Sequence, residues 1–170
     1  MLRPSILYAC DMYYDMKESE LRQLEQIEEG FLRKILKTFR GCPISQLYLE
    51  IGQTPARFEI QKMRLLYLKY ILEQSKETLL RKFFQLQIEE PTKGDWGSQC
   101  VIDLKELEIT ETFDEIKKMS KSKFTRLLKS RIEVNALKYL KNKRKSKGKE
   151  KSTQNWKWLN ICSQQMTNYP

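Results

Sequence analysis

The chain of 170 residues contains no histidine, only four cysteines and six glycines, and no long apolar run. Without histidine, a Ser-His-Asp triad, a Cys-His pair and a mixed cysteine–histidine zinc site cannot be built. The scattered glycines match neither the dinucleotide nor the P-loop fingerprint. The sequence also lacks the stretch of roughly 20 apolar residues that a membrane helix needs. These absences favour a chain that is not an enzyme and has no membrane partner.

The cysteines are far apart in the sequence and show no paired spacing: Cys10, Cys42, Cys100 and Cys162. An all-cysteine zinc site would need all four to converge, so four reduced thiols are the simpler interpretation. We therefore expect no metal and no cofactor. The brief apolar start of the chain meets Asp11 and is a poor secretory signal. An intracellular protein, in the nucleus or the cytoplasm, is expected.

Positive charge is concentrated near the C-terminus. Between Lys117 and Lys151 the chain has 15 of its 32 Lys and Arg residues and only two acids, a net charge of +13, whereas the remainder carries −3. Such a concentrated field attracts polyanions, which makes RNA or DNA the leading partner class. Lysine and arginine contacts to phosphates release condensed counterions, so binding would be independent of sequence and sensitive to salt.

The residues expected to contact nucleic acid backbone belong to two groups. One group lies on a predicted helix and the other forms the charge run beyond it: Lys121, Lys123 and Arg126, then Lys141, Lys143, Arg144, Lys145 and Lys147. Two alternatives stay open for the same charges. They could form a solvated helix face, or, through Lys143 to Lys145, a nuclear-import address.

Apolar spacing and cap signals predict helices throughout. From Glu18 to Phe39 the apolar residues mostly recur every three or four positions, although that face is interrupted by Glu20, Glu25, Glu28 and Thr38. Gly30 costs roughly 1 kcal/mol relative to Ala in a helix, so close packing is expected there. Further helices are predicted at 43–51, ended by Gly52, and at 54–74, with Thr54 as the N-cap and Tyr70 among the inward residues. A short helix or turn pair is predicted at 101–107, and two more helices from the capping-box pair Thr112 and Glu115 and at 122–141.

Strand-like alternation is scarce, so the predicted fold class is all-α. We expect an irregular helical bundle with a basic C-terminal helix and a flexible tail. The predicted division is a helical domain over residues 1–140 and a basic, flexible tail over residues 141–170, because the run after residue 141 is charged and lacks apolar residues up to Lys151.

Aromatic residues near the charged segment suggest stacking on single-stranded bases. Trp156 and Trp158 follow the basic run, and Trp96 lies in a predicted loop with Lys93. The ordinary alternative is a tryptophan that folds back onto the core.

Several segments together resemble a known family. The segment 5–14 (SILYACDMYY) resembles the region that follows the polymerase palm in non-LTR retrotransposon reverse transcriptases. The likeness continues at 24–36 (LEQIEEGFLRKIL), 47–74, 83–96 and 113–124 and covers about 5–145. It rests on the pattern of these segments and includes no catalytic motif.

The resemblance implies a C-terminal piece of a mobile-element polyprotein. In the family the endonuclease and the polymerase aspartates lie upstream, and the helical, basic region after the palm is associated with holding template RNA or the primer–template duplex. Many members then carry a Cys/His cluster, whereas here Cys162 stands alone. This departure implies a truncated or degenerate copy. Two hypotheses follow: a non-catalytic fragment that binds nucleic acid, or a helical interaction module that docks on a polymerase domain or another copy of the chain.

Overall fold

The computed structural model describes residues 8, 16–39, 41–92 and 94–148, with residues 144–148 described by their backbone. Within these ranges the chain forms seven helices and no strand, which confirms the predicted all-α class. The helices are α1 (Glu18–Ile35), α2 (Ile44–Ile51), α3 (Ala56–Glu73), α4 (Leu79–Glu89), α5 (Trp96–Glu106), α6 (Phe113–Lys118) and α7 (Lys121–Gly148). None of the helices in the described ranges combines the length and the apolar character needed to cross a membrane.

Helix α3 lies at the centre of the bundle and contacts α1, α4, α5, α6 and α7. Its buried residues Leu65, Leu68 and Leu72 pack with side chains of α4 to α7 in the main hydrophobic core. A second, smaller core joins α1, α2 and α7 through Leu32, Leu47 and Leu140. Helix α7 takes part in both cores, so its orientation is fixed along much of its length.

Several helix boundaries follow from local chemistry. Gly52 ends α2 with φ of 65°, a left-handed conformation that glycine adopts at little cost. Thr112 and Glu115 form the predicted capping box at the start of α6, where the Thr112 N–H donates to Glu115 Oε2 over 2.7 Å. Asp95 caps α5 by accepting from the Ser98 N–H, a cap that the sequence reasoning missed.

Other details correct the predictions. Helix α1 ends at Ile35, not Phe39, and Pro55 is the N-cap of α3 in place of Thr54. The prediction of close packing at Gly30 is wrong, because a Cβ added there would meet nothing within 4 Å. The predicted loop ends at Asp95, so Trp96 belongs to the first turn of α5.

Helix α7 is longer than the predicted 122–141 helix. It runs without interruption through Gly148 and therefore crosses the predicted domain boundary after residue 140. Residues 149–170, which make up most of the predicted flexible tail, lie outside the described residues.

Candidate nucleic-acid interface

Two helices position the basic residues. Helix α6 ends at Lys118, and α7 begins three residues later at Lys121. The C-terminal end of α6 is held by Lys69 of α3, whose side chain is 2% exposed and whose Nζ donates to the Ile116 carbonyl oxygen over 2.9 Å. A cation at a helix C-terminus satisfies carbonyls that lack helical partners and complements the helix dipole. The contact fixes the place where the basic segment starts.

Packing divides the side chains of α7 between the core and the solvent. Every fourth residue is buried from Phe124 to Leu140, so one continuous stripe faces the cores. The exposed basic side chains of α7 lie at other positions, outside this stripe. Five basic residues of α7 are exposed and form no ion pair within the described ranges: Lys121, Lys123, Arg126, Lys129 and Lys141. We call these five residues the unpaired basic set.

Three other basic residues of α7 are paired with acids. Arg131 and Lys138 approach the carboxylate of Glu108 at 3.8 Å and 3.2 Å. Lys143 Nζ lies 2.7 Å from Glu29 Oε1 and 3.2 Å from Glu25 Oε2, and 5.6 Å from the centre of the Tyr139 ring. Burial is the largest single effect and lowers the pKa of Lys143, but the hydrogen bond to Glu29 and the charges of Glu25 and Glu29 together outweigh it, so the net pKa lies above its ordinary value. Lys143 is therefore a charged anchor between α7 and α1.

Two acids that interrupt the apolar face of α1, Glu25 and Glu28, are buried, and together with the partly exposed Glu29 they form an acid cluster. Glu25 is only 2% exposed and accepts from Arg57 Nε over 2.5 Å and from the Tyr139 hydroxyl over 2.9 Å. Buried carboxylates need such paired or hydrogen-bonded surroundings, because an unpaired buried charge is costly. Glu25 thus joins α1 to α3 and α7.

Glu28 has a different role in the acid cluster. Its carboxylate accepts from the Tyr48 hydroxyl over 2.7 Å and from the Ala56 backbone N–H, at the start of α3, over 3.1 Å. A negative charge at a helix N-terminus is favourable because the first N–H groups lack helical partners. Burial, together with the neighbouring Glu28 carboxylate, raises the pKa of Tyr48, so the phenol keeps its proton and donates. The sequence signal for the acid cluster was two acids, Glu25 and Glu28, on a mostly apolar face.

The predicted contact residues therefore separate into three groups. Four of them are exposed and have no ion pair in the described ranges: Lys121, Lys123, Arg126 and Lys141. The same holds for Lys129, which the prediction left out. Lys143 contacts the acid cluster. The side chains of Arg144, Lys145 and Lys147 lie outside the described residues, on the last turns of α7.

The nuclear-import alternative for residues 143–145 involves the same side chain, Lys143. Its first residue, Lys143, is ion-paired and lies on a helix. Reading this address would require Lys143 to leave the acid cluster.

The structure also describes one of the three tryptophans suggested for base stacking. Trp96 is half-buried, and its ring meets Phe84 and Tyr67 edge-on at centroid distances of 5.9 Å and 5.7 Å. This tryptophan therefore packs on the core, which was the alternative to base stacking. Trp156 and Trp158 lie outside the described residues.

The described ranges contain no group of three or more carboxylate, cysteine or histidine ligands that could hold a metal ion. Cys42 and Cys100 are free thiols, and burial raises the pKa of Cys100, which favours an unreactive thiol. Cys10 and Cys162 lie outside the described residues.

Comparison with known proteins finds no matching family model, no matching curated protein and no matching solved structure.

Proposed function

We propose that this chain is a non-catalytic helical fragment of a retroelement reverse transcriptase that binds RNA or DNA backbone through its basic C-terminal segment. The resemblance of residues 5–145 to the post-palm region supports the family. The net charge of +13 between Lys117 and Lys151 supports the partner class.

The observation that carries the proposal is the unpaired basic set. A lysine already paired with a carboxylate gains less from a phosphate, because it must first give up its partner. Lys121, Lys123 and Arg126 have no such partner in the described ranges and are exposed on the first two turns of α7. They can meet phosphates at little cost, and each contact releases condensed counterions.

The first experiment measures binding of the purified chain to an RNA hairpin, duplex DNA and single-stranded DNA by fluorescence anisotropy across a salt series. We expect Kd values on the order of 10⁻⁴ to 10⁻⁶ M at physiological salt and a steep fall of log K with log salt. Replacing Lys121, Lys123 and Arg126 with Gln should reduce the slope on duplex DNA by about 2 to 3, since each phosphate contact contributes about 0.9.

A matched control removes the same charge elsewhere. Lys17, Lys34 and Lys37 are exposed on or beside α1 and form no ion pair in the described ranges, and changing them to Gln also removes three positive charges. Helix α1 packs near Lys143, about 33 Å along α7 from Lys121 at 1.5 Å per residue. Equal loss of slope in both triple variants would show that net charge alone matters, and no binding at low salt would contradict the proposal.

A second candidate function, an interaction module, is favoured by an exposed apolar face on α4. Leu79, Phe83 and Leu86 recur at helical spacing and are 84%, 58% and 58% exposed, and Tyr70 of α3 is 51% exposed. Tyr70 was expected to point inward, and that prediction is wrong. Exposed apolar faces of this kind often mark protein contacts, here a polymerase domain or another copy of the chain.

Sedimentation equilibrium over a concentration series tests self-association. If α4 mediates it, changing Phe83 and Leu86 to Ser should weaken the dimer, whereas changing Leu49, which is 55% exposed on α2, should not. If the chain is a monomer at all concentrations, self-association is excluded, and the interaction module would then have to dock on another protein.

A further inference from the structure

Helix α4 leaves most of its apolar side chains outside the core. Of its 11 residues only Phe84 is buried, although the helix carries six large apolar side chains. It packs against α3 and α5, and on its open face Leu79, Phe83 and Leu86 are all more than half exposed. Apolar helical faces are normally covered by a packing partner, so the open face of α4 favours an interface.

The three exposed apolar residues of α4 have the spacing of a coiled-coil seam. Leu79, Phe83 and Leu86 recur after four and then three positions, which places them in one row along the helix. The row adjoins an apolar cleft of about 470 Å³, whose lining includes Phe83 together with Tyr67 and Trp96. The face therefore fits a partner that supplies a similar apolar row.

The charged residues beside the seam indicate which partner fits. Lys82 and Glu89 are seven positions apart and lie on the same flank of the row. Glu89 is exposed, accepts a hydrogen bond from Gln85 and forms no ion pair among the described residues. Lys82 is 55% exposed and pairs over 2.9 Å with Glu77, which is 84% exposed. Such an exposed pair contributes little to stability, so Lys82 can exchange this partner for another carboxylate at low cost.

We propose that α4 pairs with α4 of a second copy of the chain in an antiparallel, two-fold symmetric dimer. In this arrangement equivalent flanks of the two helices face each other, so Lys82 of each copy meets Glu89 of the other. Phe83 of each copy packs against Leu86 of the other in the centre of the seam. The inference rests on the interaction-module candidate and names its partner and its register.

The charge pattern selects the antiparallel orientation. In a parallel pair each flank faces the opposite flank of the partner, where α4 carries the uncharged Leu80 and Gln87, so both ion pairs would be absent. A two-fold axis satisfies both charges at once, because one surface supplies the acid and the base. The seam is only about three turns long, so we expect a weak dimer, with a Kd on the order of 10⁻⁵ M.

Charge reversal, followed by analytical ultracentrifugation of the full chain, tests the register. Lys82→Glu and Glu89→Lys each create two repulsive contacts, so either variant alone should raise the Kd about tenfold. Mixing the two variants in equal amounts should bring the Kd back close to the wild-type value, because each acid then meets a base across the axis. The contact between Lys82 and Glu77 stays broken in half of the mixed chains, so the restoration comes from the partner.

A matched control makes the same charge change elsewhere. Lys34 is exposed on α1 and has no ion pair in the described ranges, so Lys34→Glu should leave the Kd unchanged. Thermal unfolding checks that every variant is folded. Weakening in both single variants and restoration in their mixture support the antiparallel dimer.

Two results would overturn the dimer. A wild-type chain that stays monomeric up to about 1 mM excludes it, and leaves docking on another protein and the nucleic-acid proposal standing. A dimer that the single reversals do not weaken, or that their mixture does not restore, shows that the copies associate through another surface or in another register.

Discussion

The two ends of helix α7 contain the same kind of residue in different surroundings. Lys121, Lys123 and Arg126 at its start are exposed and without ion pairs in the described ranges, whereas Lys143 near its end contacts two carboxylates of the acid cluster. Helix α1 packs only near the second of these ends. The comparison teaches that basic residues of one helix can have two kinds of surroundings, and that the position of α1 decides which kind a residue has.

The physical basis of the difference is desolvation. Glu25 is 2% exposed, so the cations that face it offset the cost of a buried charge, and removing one leaves that cost uncompensated. An exposed lysine keeps its hydration, and its removal costs the fold little. The predictions below test this contrast, in order of decreasing effect on stability.

The largest effect is expected for Arg57→Met. Arg57 is 17% exposed and bonded to Glu25, so its loss should lower the free energy of unfolding by about 3 kcal/mol, measured by urea denaturation. Arg22→Met, which breaks a pair between side chains 70% and 51% exposed, should cost no more than about 0.5 kcal/mol. Similar losses in the two variants would show that the acid cluster does not depend on its buried partners.

A smaller loss is expected for Lys143→Gln. The glutamine cannot neutralise Glu25 and Glu29, and we expect the free energy of unfolding to fall by about 1 to 2 kcal/mol. The matched control is Lys141→Gln, two residues earlier on the same helix. Lys141 is exposed and has no ion pair in the part of the chain that the structure describes, so we expect a change within about 0.5 kcal/mol. If the control is as destabilised as Lys143→Gln, the assigned anchor role of Lys143 is wrong.

The stabilisation by Lys143 should also depend on pH. Its folded pKa lies above the ordinary 10.5, so its contribution is fully present below pH 10.5 and is lost as the pH rises through the folded pKa. The stability difference between the wild-type chain and Lys143→Gln should therefore narrow above pH 10.5. A difference that stays constant through this range would argue against a charged contact.

The smallest effect on stability is expected for the triple variant of Lys121, Lys123 and Arg126. Lys121 and Lys123 lie in the first turn, where cations oppose the helix dipole, and Arg126 is exposed in the second turn. Gln at these positions should therefore leave stability unchanged or raise it by up to about 0.5 kcal/mol. Urea denaturation would check this in parallel with the binding measurements. A clear loss of stability would mean that these side chains hold the fold, which contradicts their assignment to binding.

The sequence predicted the fold better than it predicted the site. Local signals such as Gly52 and the Thr112–Glu115 capping box act within a few residues, and the structure confirms both. The roles of Glu25 and Lys143 depend on a contact between residues 118 positions apart, which periodicity and composition do not encode. Tyr70 fits the inward spacing of α3, yet it is exposed, because α3 contacts its neighbours around more than one face and spacing alone does not identify the open side.

Lysine acetylation followed by mass spectrometry, with and without saturating nucleic acid, tests the central claim most directly. The account predicts that Lys121, Lys123 and Lys129 react quickly in the free chain and are protected on binding, whereas Lys143 reacts slowly in both states. A Lys143 that reacts as quickly as Lys121 in the free chain, or a Lys121 whose reactivity is unchanged by bound nucleic acid, would contradict it.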